Sequence, residues 1–120
     1  MFELSIPLSN YLYLIRKRKS PYYDLLQYVI ADMERHYVAL EYPVDAIYTI
    51  NPRQLLKEIG EKIPSDKLTT MNIARVILAA VYGSKLRKDE DYYVTKSSGG
   101  RRNYHIKLNQ NVLSALRSSL

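Results

Sequence analysis

The chain has 120 residues, 47% of them hydrophobic, and 18 Lys and Arg against 12 Asp and Glu give it a formal net charge of +6. That length predicts one domain with a core able to stand without staples, and the mixture of apolar residues with charges of both signs excludes a disordered tail. There is no cysteine, which excludes a disulfide scaffold, a thiol nucleophile and cysteine-based zinc or iron–sulfur sites.

Phe2-Glu3-Leu4-Ser5-Ile6 alternates apolar and polar, which predicts a short strand stopped at Pro7. Ser9 then caps a short helix over residues 10–19, with Tyr11, Leu12 and Ile15 as its apolar stripe. Ser20-Pro21 is a strong start signal: Ser accepts from free helix N–H groups, and Pro is tolerated at the first helical position. Leu25, Leu26, Val29, Ile30, Met33, Tyr37 and Leu40 follow at helical spacing, predicting a helix over 21–40 that ends before Pro43.

Residues 46–50 are short, β-branched and aromatic, hence a strand. Asn51-Pro52 caps a second helix with Leu55, Leu56 and Ile59 on its apolar side. After a turn around Pro64, Leu68 forms a hydrophobic staple ahead of a Thr69/Thr70 cap. Ile73, Val76, Ile77, Ala80 and Val81 then make the buried stripe of a third helix over 70–86. Its opposite positions, Asn72, Arg75, Ala79 and Tyr82, are expected to share one exposed face.

Residues 92–96 and 103–108 read as two strands joined by Ser97-Ser98-Gly99-Gly100-Arg101-Arg102, a glycine-containing hairpin loop. Asn109 caps a last helix with the stripe Val112, Leu113, Leu116 and Leu120.

The charge is unevenly placed. Arg16-Lys17-Arg18-Lys19 is one basic block, and residues 20–66 hold most of the acids. After Asp91 there is no acid, yet Lys96, Arg101, Arg102, Lys107 and Arg117 follow. A single-sign field over the last quarter of a small domain favours a polyanion.

The order helix, strand, helix, helix, strand, loop, strand resembles the winged helix-turn-helix fold over roughly residues 20–108. The expected fold is therefore α+β, mostly helical, with a β-hairpin wing and an extra helix at each end. Residues 1–19 are expected as an N-terminal extension and 109–120 as a C-terminal helix able to pack on its own domain or on a second subunit. The tyrosine-rich, cysteine-free composition also resembles that of small proteins of thermophilic archaea or their viruses.

The resemblance implies a DNA-binding regulator acting as a homodimer on double-stranded DNA. The third helix would enter the major groove, with Asn72 on adenine and Arg75 on guanine, and Tyr82 on the same face. Thr69, Thr70 and nearby backbone amides would hold phosphates. Arg101 and Arg102 would tip the wing into the minor groove or onto phosphates, flanked by Lys96, His105 and Lys107. Six such contacts would give a salt slope of roughly −5. Arg16, Lys17, Arg18 and Lys19 are further candidates, with the solvated end of a short helix as the alternative. The dimer would use Val112, Leu113, Leu116 and Leu120, or the tyrosine-rich segment 11–15.

Two other readings compete. The third helix carries only Arg75 before Lys85, which suits a protein-interaction or assembly module on the same fold. An enzyme would need clustered carboxylates or histidines, and Asp89-Glu90-Asp91 is the one candidate. No cofactor and no metal are expected, because His105 has no companion at ligand spacing. No apolar run reaches the ~20 residues of a membrane span. The opening residues also lack the basic start of a signal peptide, so a cytoplasmic protein is expected.

Overall fold

The computed structural model describes residues 8–119; the strand expected over residues 2–6 lies outside them. The longest helix, α2 (Pro21–Ala39), starts as its sequence dictates, with the Ser20 hydroxyl accepting from Tyr22 N at 3.1 Å. It buries Tyr22, Leu25, Leu26, Val29, Ile30 and Met33 along one face. Beyond Leu40, Glu41 and Tyr42 both adopt positive φ, near +59° and +58°. Tyr42 N returns to Tyr37 O at 2.9 Å, and the two rings meet edge-on at 5.3 Å. This is a C-terminal capping turn built without glycine, its left-handed backbone held by the hydrogen bond and the ring contact.

Strand β1 (Ala46–Ile50) leads to α3 (Pro52–Ile59), whose cap Asn51 accepts from Gln54 N at 3.1 Å. Then come α4 (Thr70–Gly83), β2 (Tyr92–Lys96), β3 (Arg102–Leu108) and α5 (Gln110–Ser118), with Asn109 accepting from Val112 N at 2.9 Å. Helix α1 (Leu8–Arg16) precedes them all. It ends three residues earlier than its sequence suggested, and residues 17–19 form the turn into Ser20. Likewise α4 stops at Gly83, and Lys85 takes a positive φ beyond it.

The chain is thus α+β: the described residues form five α-helices and one antiparallel sheet of order β1-β3-β2. Register pairs Ile50 with Tyr104 and Ala46 with Leu108 on one side of β3, and Tyr92 with Ile106 on the other. Alternation turns Ile50, Tyr92, Tyr104, Ile106 and Leu108 inward onto the helices. A single core joins them to residues of every helix, including Tyr11 and Ile15 of α1 and Val112, Leu113 and Leu116 of α5.

This corrects the expected dimer stripe. Val112, Leu113 and Leu116 are buried in their own chain, so they have no surface to offer a second copy. Leu120 lies outside the described residues. Of the segment 11–15, Tyr11 and Ile15 are core and only Tyr13 is strongly exposed. Arg16 Nε donates to Ser119 O at 2.9 Å, fastening the end of α1 to the end of α5.

One polar latch ties sheet to helix. The Tyr48 hydroxyl donates to Asp32 Oδ2 at 2.5 Å, and Arg35 Nη2 donates to Oδ1 at 2.8 Å. Burial works to raise the Asp32 carboxyl, but the hydrogen bonds from Tyr48 and Arg35 and the nearby positive groups outweigh it and hold it below its ordinary value. The Tyr48 phenol is pushed far up, by burial first and then by its bond to Asp32. A carboxyl lowered on folding stabilises above its unfolded value, and that gain is lost as pH falls through the folded value. Tyr48→Phe is therefore expected to cost about 2 kcal/mol at neutral pH. The gap to the parent should close in acid, below the ordinary carboxylate value of 3.8. Urea titrations of both proteins at a series of pH values would check this; a gap independent of pH would refute it.

Candidate nucleic-acid interface

The third helix departs most from expectation. Its predicted exposed face divides along its length. Asn72 and Ala79 lie beneath α1: Ala79 is fully buried, and the Tyr11 hydroxyl donates to Asn72 Oδ1 at 2.9 Å. Asn72 Nδ2 donates to Lys67 O at 2.7 Å and, at 3.4 Å, to the Tyr22 hydroxyl. Its carboxamide is engaged on both ends, leaving nothing for an adenine edge. A Cβ at Gly83 would overlap Leu12 Cδ2, so the bare glycine leaves the space that the Leu12 side chain of α1 fills. The other half of the face stays open: Met71 is 64% exposed and Tyr82 53%, with Arg75 and Leu78 half-buried between them. The helix thus shows solvent a mostly apolar stripe with one cation.

At the start of α4, Thr69 is the cap, its hydroxyl accepting from Asn72 N at 3.1 Å, and Thr70 is exposed. The Thr69 oxygen is therefore spent on the helix, while Thr70 remains accessible.

The hairpin is built as a basic tip. Gly99 and Gly100 take φ of +83° and +78°, a backbone that side chains resist, although open space surrounds both. Ser97 N bonds Arg101 O at 2.8 Å and closes the turn. Register then sets Lys96 directly opposite Arg102, with Arg101 adjacent and all three exposed. Like charges facing each other across a ladder destabilise it. Burial raises the Tyr104 phenol, offset in part by the neighbouring Arg102.

The outer sheet face carries His105 and Lys107. His105 sits on the central strand with both ring nitrogens engaged: Nδ1 lies 3.0 Å from Thr49 Oγ1 on β1, and Nε2 lies 2.7 Å from Thr95 Oγ1 on β2. Either tautomer satisfies this frame, since a hydroxyl can donate or accept. The Tyr93 ring stacks on the imidazole with centroids 4.5 Å apart and planes at 14°, and stays 40% exposed. Lys107 is exposed one position along the same face. The Thr49–His105–Thr95 rung was not legible in the sequence, because it depends on the register of β3 with both of its neighbours.

The remaining cations are divided. Arg117 binds Glu34 and donates to Gln27 at 3.0 Å, so it is tied to α2. Arg16 is fastened to Ser119, while Lys17, Arg18 and Lys19 are exposed in the turn. Lys19 lines one open cavity of about 350 Å³ with Lys62, Lys67 and Asp24, a grouping drawn from distant segments that sequence spacing does not reveal. Of the acidic run, Glu90 pairs with Arg87 at 2.8 Å, and Asp91 accepts from Arg87 N at 2.8 Å. Among the described residues no three His, Cys, Asp or Glu gather as a metal-ligating group, and no helix is long and apolar enough to cross a membrane.

No protein-family model, curated protein or solved structure matches the chain.

Proposed function

We propose that the protein binds double-stranded DNA as a winged helix-turn-helix regulator, with the Arg101/Arg102 hairpin as its wing and phosphate contacts as its main source of affinity. The observation that carries this is a basic tip with no carboxylate facing it. Lys96 and Arg102 face each other with Arg101 beside them, and the strands β1, β2 and β3 contain no carboxylate to relieve them. Such repulsion is a cost in the free protein that an anion would remove. The element order and the β1-β3-β2 sheet support the winged reading. Base readout from α4 falls to its open side, where Tyr82 is exposed, rather than to Asn72. For a homodimer, the exposed Val38, Leu40, Tyr42 and Val44 at the end of α2 replace the C-terminal stripe as the surface offered to a second copy.

The test is binding to a random-sequence duplex at rising salt. With Lys96, Arg101, Arg102 and Lys107 each neutralising a phosphate, log K is expected to fall against log salt with a slope of roughly −4. Sedimentation of the complex gives its stoichiometry. No binding at low salt, or binding without a slope, refutes the reading. A protein-assembly role on the same fold is the second reading, favoured by the apolar stripe Met71, Leu78 and Tyr82 on the open side of α4.

A further inference from the structure

The sheet's outer face has features that a wing does not need. Tyr93 is held flat against His105, and His105 is itself fixed at both ring nitrogens by threonines from the two flanking strands. The result is a rigid pair of stacked rings at the middle of an open sheet. Around it are Lys107, with Ile47 as its cross-strand partner and 40% exposed, and the Arg101 turn at the hairpin end. On this face the strands hold Lys107 and no carboxylate; Lys96 and Arg102 fall on the opposite face by alternation, and Asp91, which stands opposite Lys107 just before β2, is engaged by Arg87.

An exposed aromatic ring stacked on a fixed imidazole, with a lysine beside it and the basic turn at the hairpin end, fits an unstacked base attached to a phosphate chain. A duplex does not fit, because its bases are already stacked on each other and it presents mainly its backbone. We infer that this face docks single-stranded DNA, one base stacking on Tyr93 and its phosphates running over Lys107 toward Arg101. Three strands give room for about two bases. The two threonine hydroxyls beside the rings are held by His105, which leaves them poorly placed to read a ribose 2′-OH. The site is separate from α4 and does not require the duplex reading to hold.

The experiment is fluorescence anisotropy with a labelled 15-mer of thymidine, a 15-base-pair duplex and a 15-mer of uridine at low salt, using the parent protein, Tyr93→Ala and Tyr93→Phe. Thermal melts confirm that the variants fold. Tyr93→Ala is expected to weaken single-strand binding by about tenfold or more, while Tyr93→Phe, which keeps the ring, binds as the parent does. Duplex affinity should be unchanged in both. Single-strand binding that ignores Tyr93→Ala overturns the inference. So does an equal loss on strand and duplex, which would make the face part of the duplex site. Tighter binding of the uridine strand overturns the choice of DNA. Self-association that is lost in Tyr93→Ala, with no strand bound, would assign the face to a second copy instead. Strand binding without duplex binding would leave this inference standing and remove the proposed duplex function; the opposite pattern would do the reverse.

Discussion

Ile15→Ala is expected to lower stability by about 3 kcal/mol, the usual cost of emptying a fully buried isoleucine site. In a domain of this size that is a fall of about 10 °C in melting temperature. Ile15 is fully buried in the core shared by every helix, although it belongs to a segment that reads as an extension in the sequence. Ile15→Val, which removes one methylene, should cost about 1 kcal/mol. A calorimetric scan of each variant checks the pair. If α1 were a loosely attached extension, both scans would superimpose on the parent. If it is part of the core, the losses should grade with the volume removed, in one cooperative transition.

The double variant Arg101→Ala/Arg102→Ala tests the wing. Removing two phosphate contacts should lower duplex affinity about tenfold or more at modest salt and make the slope shallower by about 2. The same change removes Lys96 from repulsion by Arg102, so the melting temperature should hold or rise. Loss of affinity without loss of stability is the mark of a binding residue rather than a structural one. Asn72→Ala makes the reverse control. Its carboxamide bridges Tyr11 and Lys67, so stability should drop by about 1–2 kcal/mol with the salt slope unchanged. Affinity untouched by the double variant would direct attention to the open side of α4 as a protein-binding surface.

Four helix starts were legible because capping chemistry is local; the first was not, since Ser9, expected as its cap, lies inside α1. Ser20-Pro21, Asn51-Pro52, Thr69 and Asn109 each cap the helix that their residue type implies. The buried stripes of α2, α4 and α5 were legible for a similar reason, since periodicity alone states which side avoids water. Periodicity does not say what covers that side. The α5 stripe fits its own core as well as it would fit a partner, and only the folded chain decides. On α4 the misreading had a definite cause: Asn72 is polar and Ala79 small, so their side read as solvent-facing, and Gly83 follows on the same side. Small residues are also what let a second helix approach closely, and α1 takes that place. At the wing, composition placed the cations correctly, but the opposition of Lys96 to Arg102 and the threonine frame around His105 come from strand register. Register is set by pairing partners far apart in sequence.

The docking of α1 has a consequence for how the molecule is made. Its apolar side is translated well before its seat on α4 and its fastening at Ser119. At ordinary ribosomal speeds the wait is on the order of ten seconds. During that interval Tyr11 and Ile15 have α2 beside them, the Tyr22 ring meeting Tyr11 edge-on, but lack the α4 side of their cover, so the nascent polypeptide carries a half-covered, sticky helix. The basic run Arg16-Lys17-Arg18-Lys19 directly behind it keeps that exposed stretch soluble by charge, a task distinct from any contact in the finished protein.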